Sequence, residues 1–218
     1  MFNDVEIKWK GHSGFLISAL GKKIYIDPYK LSPGSGEEKA DIILITHSHY
    51  DHCSIEDLSR IVKNGSVVIM PAACSSKLTK LREKLDIKVM EPGREIEIMG
   101  IGIKPVPSYN VNKDFHAKSE YWNGYVIIIN GTRIYHAGDT DLIPEMSNLN
   151  GQIDLALLPV GGIYTMNPVE AAKACFIIKP EKAIPMHFNS VVGTREDAER
   201  FVDLCKEEGI DAEILEKE

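Results

Sequence analysis

The sequence predicts a mixed α/β fold in which two similar halves, each β-rich at first and then alternating strand and helix, pack sheet to sheet with helices outside. Three observations predict it. Short apolar bursts recur along the chain, separated by Gly, Pro and Asn turns. Two of the bursts, at 41–46 and 153–160, are continuously apolar, as strands are when both their faces are covered. Residues that cap helices follow the later strands in each half.

Composition sets the frame. The 218 residues are 44% apolar and 26% charged, an ordinary globular balance that excludes disordered, collagen-like and disulfide-scaffold classes. That length suits a single domain over residues 1–218, with halves dividing roughly into 1–107 and 108–218, and enough chain to bury a sizeable interior. Twenty-five Lys and Arg stand against 32 Asp and Glu, a net charge of −7. This balance disfavours nucleic acid and anionic membrane, so an anionic substrate would need local cations. The first residues carry neither a basic start nor an apolar core of a signal peptide, and no apolar run approaches the ~20 residues of a membrane span. Cys53, Cys74, Cys175 and Cys205 are scattered without a C-x-x-C pair, which reads as reduced thiols in a cytoplasmic protein.

The elements follow in order. Residues 5–9, 14–18 and 23–27 read as strands, with a tight turn at 19–22. The Leu31–Gly36 stretch, rich in Ser, Pro and Gly, is the one flexible-looking segment. After the strand at 41–46, Ser54 with Asp57 three residues on caps a helix to about residue 63. A strand at 67–70 leads to a helix at 72–84. Strands at 87–90, 95–99 and 101–105 precede a polar loop at 108–120, of a length usually reserved for function. Strands at 125–130 and 133–136 form a hairpin about Asn130-Gly131. Beyond the strand at 153–160, Asn167 caps a helix with Pro168 at its first position. A strand at 181–186, a helix from Thr194 to about 208 ended by Gly209, and a strand at 212–215 close the chain. The Glu-Lys mixture at the end reads as a solvated helix face.

All seven histidines fall at strand ends or in the loops beside them: His12, His47, His49, His52, His116, His136 and His187. Satisfied core histidines would not sort that way. The 41–46 strand runs directly into His47-Ser48-His49-Tyr50-Asp51-His52. Residues two apart in an extended chain share a face, so His47 and His49 can converge on one ion, with Asp51 and His52 displaced toward another. Neutral imidazoles and carboxylates suit Zn²⁺, with Mn²⁺ or Fe²⁺ as alternatives. His136-Ala137-Gly138-Asp139-Thr140-Asp141 supplies a carboxylate able to bridge two ions, and His187 ends a strand as His47 does.

These motifs resemble the metallo-β-lactamase superfamily, over nearly the whole chain. Gly11-His12-Ser13, Ile26-Asp27-Pro28 and the segment around Asp139 are similar to a narrower group, the L-ascorbate-6-phosphate lactonase-like and small metal-dependent hydrolases. N-acyl-phosphatidylethanolamine-hydrolysing phospholipase D is a larger relative with similar motifs. The resemblance implies a four-layer αββα sandwich of two β-sheets with outer helices, the metallo-β-lactamase fold. It also implies two divalent metal ions: one held by His47, His49 and His116, the other by Asp51, His52 and His187, with Asp139 bridging. Asp27 resembles a position that supports the site.

Hydrolysis of an ester, lactone or phosphodiester of a small molecule by metal-activated hydroxide is the expected reaction. Asp51, His12 and His136 are the expected catalytic helpers, handling protons beside the metals. No G-x-S-x-G elbow offers a serine nucleophile. Three rival readings stand. A flavodiiron oxidoreductase would carry Glu in place of His49, and an RNA- or DNA-processing nuclease would want a basic surface. A non-catalytic metal-binding module would favour a saturated, cysteine-rich site. Lys30, Lys113, Lys118 and Arg195, with Tyr109, Tyr121 and Tyr164, lie in loops that could meet a substrate. Gly161-Gly162 could let backbone approach the site, and a homo-oligomer stays open.

Overall fold

A computed structural model describes residues 4–32 and 36–218. The centre of the flexible-looking 31–36 stretch, residues 33–35, lies outside the described residues. Strands β1 (Glu6–Gly11), β2 (Gly14–Ala19), β3 (Lys22–Ile26), β4 (Ile42–Leu44), β5 (Val67–Met70) and β6 (Asp86–Val89) form one sheet in sequence order. The second sheet holds β7 (Ile96–Ile98), β8 (Ile101–Pro107), β9 (Asn123–Ile129), β10 (Thr132–His136), β11 (Leu155–Pro159), β12 (Lys182–Met186) and β13 (Asp211–Ala212), likewise in order. Each sheet begins as an antiparallel meander and ends with three parallel pairings, at β3–β6 and β10–β13. The two sheets thus share one layout. Strands β7 and β8 pair with β9, so the sheets divide between Val89 and Ile96 rather than near residue 107.

Strand alternation explains the layers. On β2 to β5, Phe15, Ile17, Ile24, Ile26, Ile42, Leu44, Val67 and Ile69 face the second sheet and join its Ile101, Ile103, Tyr125, Ile127 and Ile134 in one core. The intervening Leu16, Tyr25, Ile43, Val68 and Met70 face outward under α1 (Ile55–Ile61) and α2 (Ser75–Leu78). Period-two burial on both faces is why 41–46 reads as unbroken apolar sequence. Beyond the second sheet, α3 (Pro168–Ile178) buries Ala171, Ala174, Cys175 and Ile178, and α4 (Arg195–Glu207) buries Ala198, Phe201, Val202 and Cys205. Both sets follow the i, i+3, i+4, i+7 spacing of one helix face. Asn167 and Thr194 cap these helices through capping boxes with Glu170 and Asp197. The result is helix, sheet, sheet, helix: the four-layer sandwich.

Two expected helices do not form. The 72–84 segment makes only a 3₁₀ turn at Ala72–Cys74 and the single turn of α2. Cys74 and Leu78 are the buried residues of those turns, and the 79–84 run beyond them carries only one apolar residue, the half-buried Leu81, too little for a helix face. The Glu-Lys tail runs extended instead, its Lys217 bridging to Trp9.

The two sheets are stitched together at one end. Asn123 N donates to Thr46 O (3.0 Å), and the Tyr125 hydroxyl donates to Ile45 O (2.7 Å). His187 N donates to His12 O (2.9 Å), while Trp9 stacks on Phe188 with centroids 4.9 Å apart. This stitched end carries the carboxyl termini of the parallel strands, where α/β sheets place their ligands.

Candidate metal centre

Six chain segments deliver side chains to the stitched end. The β1–β2 turn brings His12, and the chain leaving β3 brings Asp27. The chain leaving β4 brings His47, His49, Asp51 and His52. The β8–β9 loop brings His116, the chain after β10 brings Asp139, and the end of β12 brings His187. Four of these residues sit in left-handed backbone: His12 (φ +53°), Asp27 (+42°), His116 (+56°) and His187 (+60°). Non-glycine residues rarely adopt this conformation, and it concentrates where the surrounding structure holds a functional geometry in place.

Asp139 is the hub. Its carboxylate lies 3.0 Å from His187 Nε2, 3.3 Å from His52 Nε2, 3.4 Å from His116 Nε2 and 3.9 Å from His47 Nε2. His47 Nε2 and His116 Nε2 approach His49 Nδ1 to 3.1 and 3.2 Å. Asp51 Oδ2 lies 3.0 Å from His12 Nε2 and 3.8 Å from His52 Nε2. Three groups therefore have donor atoms all within 4.8 Å of one another: His47, His49 and His116; His12, Asp51, His52 and His187; and His47, His52 and Asp139.

Hydrogen bonds behind the cluster fix which nitrogen faces it. Asp27 accepts from Thr46 N (2.8 Å), Thr46 Oγ1 (2.5 Å) and His52 Nδ1 (2.7 Å). With its proton spent on Asp27, the Thr46 hydroxyl accepts from His47 Nδ1 at 2.9 Å. Both imidazoles thus commit Nδ1–H to these acceptors and turn Nε2 inward, the arrangement in which a carboxylate orients a metal-binding histidine.

Burial and the crowding of like groups set the charges. Burial and the neighbouring His52 push His47 well below the ordinary histidine range. Burial pushes His12 and His116 down to about 4. Burial also opposes charge on His52, yet Asp139 and Asp27 together hold it well above that range. Asp139 stays far below the usual carboxylate range despite its burial, because His187 and His52 face it. Asp51, against the same penalty, is held at about 2 by the hydrogen bond from His12.

These residues fit a cation. His52 Nε2, His187 Nε2 and Asp139 Oδ1 are buried without a hydrogen-bond partner although they crowd together. Buried polar atoms are costly in that state, and converging lone pairs are what a bound cation satisfies. The donors are imidazole nitrogens and carboxylate oxygens alone, the set favoured by zinc, manganese or iron. All four cysteines are buried free thiols outside the donor groups.

Not every expected residue reaches the cluster. His136 is fully buried with both nitrogens committed to backbone: Nε2 donates to Ser13 O (2.9 Å) and Nδ1 accepts from Gly138 N (3.2 Å). No atom is left to exchange a proton with substrate, so the expected catalytic role of His136 gives way to a structural one, bracing the β1–β2 turn against β10. Of the loop residues expected to meet substrate, Tyr164 alone lines the cleft of about 200 Å³ at the cluster. Donors His49, Asp51, His116 and Asp139 border that cleft together with Tyr50, Phe115, Tyr164 and Val191. Gly161 presses on His187 as anticipated: a Cβ there would stand 2.5 Å from His187 O. Thr46, Asn110 and Trp122 are the supports that sequence reasoning missed. The Asn110 amide nitrogen lies 3.1 Å from His116 Nδ1, and the Trp122 ring packs 4.8 to 5.4 Å from those of His47, His49 and His116. Thr46 adjoins the motif and could have been suspected, whereas nothing local marks the other two.

The family model for the β-lactamase superfamily domain matches residues 6–187. The chain belongs to the metallo-β-lactamase superfamily. It is 38% identical, over 97% of its own length and 95% of the relative's, to a UPF0173 metal-dependent hydrolase of Thermococcus onnurineus. Among solved structures it resembles a protein of Parabacteroides distasonis described as a metal-dependent hydrolase (TM-score 0.86, 32% identity, 98% of this chain and 94% of that one). It also resembles Igni18, a metallo hydrolase of Ignicoccus hospitalis (TM-score 0.79, 27% identity, 98% and 95%). This places the chain among the metal-dependent hydrolases of the superfamily. No helix among the described residues is long and apolar enough to cross a membrane.

Proposed function

We propose that this protein hydrolyses an ester, lactone or phosphodiester of a small molecule with the help of two divalent cations, Zn²⁺ foremost and Mn²⁺ or Fe²⁺ as alternatives. His47, His49 and His116 would hold one cation and Asp51, His52 and His187 the other, with Asp139 between them. The observation that carries this reading is the hub at Asp139, where four imidazoles from three chain segments turn nitrogens toward one carboxylate. When bound, the cations would supply Lewis acidity toward a substrate oxygen and a water acidic enough to lose its proton near neutral pH.

The chain's own residues supply the rest. Asp51, ionised down to about pH 2, is available as a charged acceptor that orients a water at the edge of the cleft. His12 holds that carboxylate in place through a 3.0 Å contact at Oδ2. Asp27 and Thr46 keep His52 and His47 in the tautomer that presents Nε2. The cleft reaching His49, Asp51 and Asp139 favours catalysis over a purely structural ion site, whose donors would be closed off. The buried free thiols support a reducing, cytoplasmic setting.

Elemental analysis of freshly purified protein should find two divalent ions per chain. Chelation should abolish ester and phosphodiester hydrolysis, with Zn²⁺ or Mn²⁺ restoring it, and Asp139→Ala should lose metal and activity together. Full activity in metal-free protein would overturn the reading.

A further inference from the structure

The residues at the mouth of the cluster are apolar, and the cations of the neighbouring loops are engaged elsewhere. The cleft's walls beyond the donors are Tyr50, Phe115, Tyr164 and Val191; among the described residues no Lys or Arg lines it. Lys113 is bound to the carboxylate of Asp141 and, at 3.1 Å, to Thr165 O. Lys118 pairs with Glu145 at 2.8 Å, and Lys77 donates to the carbonyl of Ser48. Lys30, Arg195 and Lys217 line another cleft, of about 350 Å³, which reaches the cluster at His12 and shares no lining residue with the first.

The walls also leave apolar surface uncovered. Tyr50 is 61% exposed and Phe115 46% exposed. Next to the walls in sequence, Ile163 is 64% exposed. Exposed apolar side chains gathered at one concave place mark a surface built to be covered. The wall is also held in shape. Phe115 and Tyr164 meet edge to face with centroids 4.8 Å apart, and Asn110 fastens the two loops by donating to Tyr164 O at 2.8 Å. A rigid aromatic corner contributes contact area without an ordering cost on binding.

We infer that the group carried by the substrate beside its scissile bond is uncharged and apolar, an aryl or alkyl acyl group of about phenyl size that packs on Phe115, Tyr164 and Val191. This rests on the hydrolase reading above and narrows it, toward apolar esters and lactones and away from sugar phosphates and nucleotides. Among the described residues no Lys or Arg lines this cleft to offset the desolvation of a remote phosphate or carboxylate packed in it.

The test is a binding comparison with two amides of similar length, neutral 4-phenylbutyramide and the adipic acid monoamide anion, titrated calorimetrically into the metal-loaded protein. The neutral aryl amide should bind at least about tenfold tighter. Phe115→Ala should remove most of that advantage, on the scale expected for losing a ring–ring contact and its buried area, without changing metal content. Val191→Lys, which puts a cation on the cleft wall without replacing a donor, should invert the preference. Equal or tighter binding of the anion by the unaltered protein, or a preference indifferent to both substitutions, would overturn the inference. Turnover of p-nitrophenyl butyrate, followed in parallel, separates the two claims: selective binding without turnover upholds the pocket's preference and removes the hydrolase reading.

Discussion

Asp27 shows how much of this centre depends on residues behind the donors. One buried carboxylate accepts three hydrogen bonds and so fixes Thr46, His47 and His52 at once. Replacing one oxygen by an amide leaves too few acceptors, and His52 can then carry its proton on Nε2 and lose the lone pair that faces Asp139. Asp27→Asn is therefore expected to weaken metal binding by about 10- to 100-fold, measured by competition with a chromophoric chelator. Unchanged affinity would mean that Asp27 serves only to hold Thr46. His136 teaches the converse. It sits in the same motif as Asp139, but strand alternation turns it into the core, where backbone groups use both its nitrogens.

At the scale of elements, the centre depends on how strand ends abut. The segment leaving β11 at Gly161 passes against the end of β12, where an added Cβ would meet His187 O at 2.5 Å, Val192 Cγ2 at 2.8 Å and His187 Nδ1 at 3.0 Å. The first of these is backbone and cannot rotate away. Gly161→Ala should displace His187, whose left-handed φ of +60° leaves little room to adjust. We expect fewer than two ions per chain by elemental analysis and a loss of hydrolysis on the order of a hundredfold, the scale of a small misplacement at a reacting centre. Far-ultraviolet circular dichroism should stay unchanged, since the added methyl lies outside the sheet ladders.

For the whole molecule, gathering six imidazoles and two carboxylates at one buried end makes stability depend on pH. His12 and His116 are pushed to about 4 when folded, and His47 is lowered further by burial. In the unfolded chain they titrate near 6.5. Between about pH 6.5 and 4 the unfolded state binds more protons, so stability falls as pH falls through that window. His52 does not offset this, because its raised pKa keeps it protonated in both states there, and its own contribution is lost only as pH rises. Asp51, held at about 2, extends the acid loss below pH 4. Thermal melts of chelator-treated protein should show a steadily decreasing midpoint from pH 7 to 4. Saturating Zn²⁺ at pH 7 should raise the midpoint by mass action on the folded state. A flat profile in the metal-free protein would contradict the burial of these imidazoles.

Much of this was legible in the chain itself. The alternation and capping residues gave the strands and the two long helices, because local periodicity and orphan backbone groups are local physics. The His47–His52 segment announced its chemistry, since ligand types packed at one strand end have few other uses. The sequence alone did not tell where the halves part, because β7 and β8 look alike whichever sheet they join, and their pairing with β9 is decided by contacts across the fold. Nor did it show that His136, unlike His187, is withdrawn from the site. Both end strands, but one finds carbonyl and amide partners in the core while the other finds Asp139. The sequence by itself determined which side chains could hold metal. Only the tertiary structure decided which atoms converge and that the mouth is apolar, because those depend on where six separate segments meet.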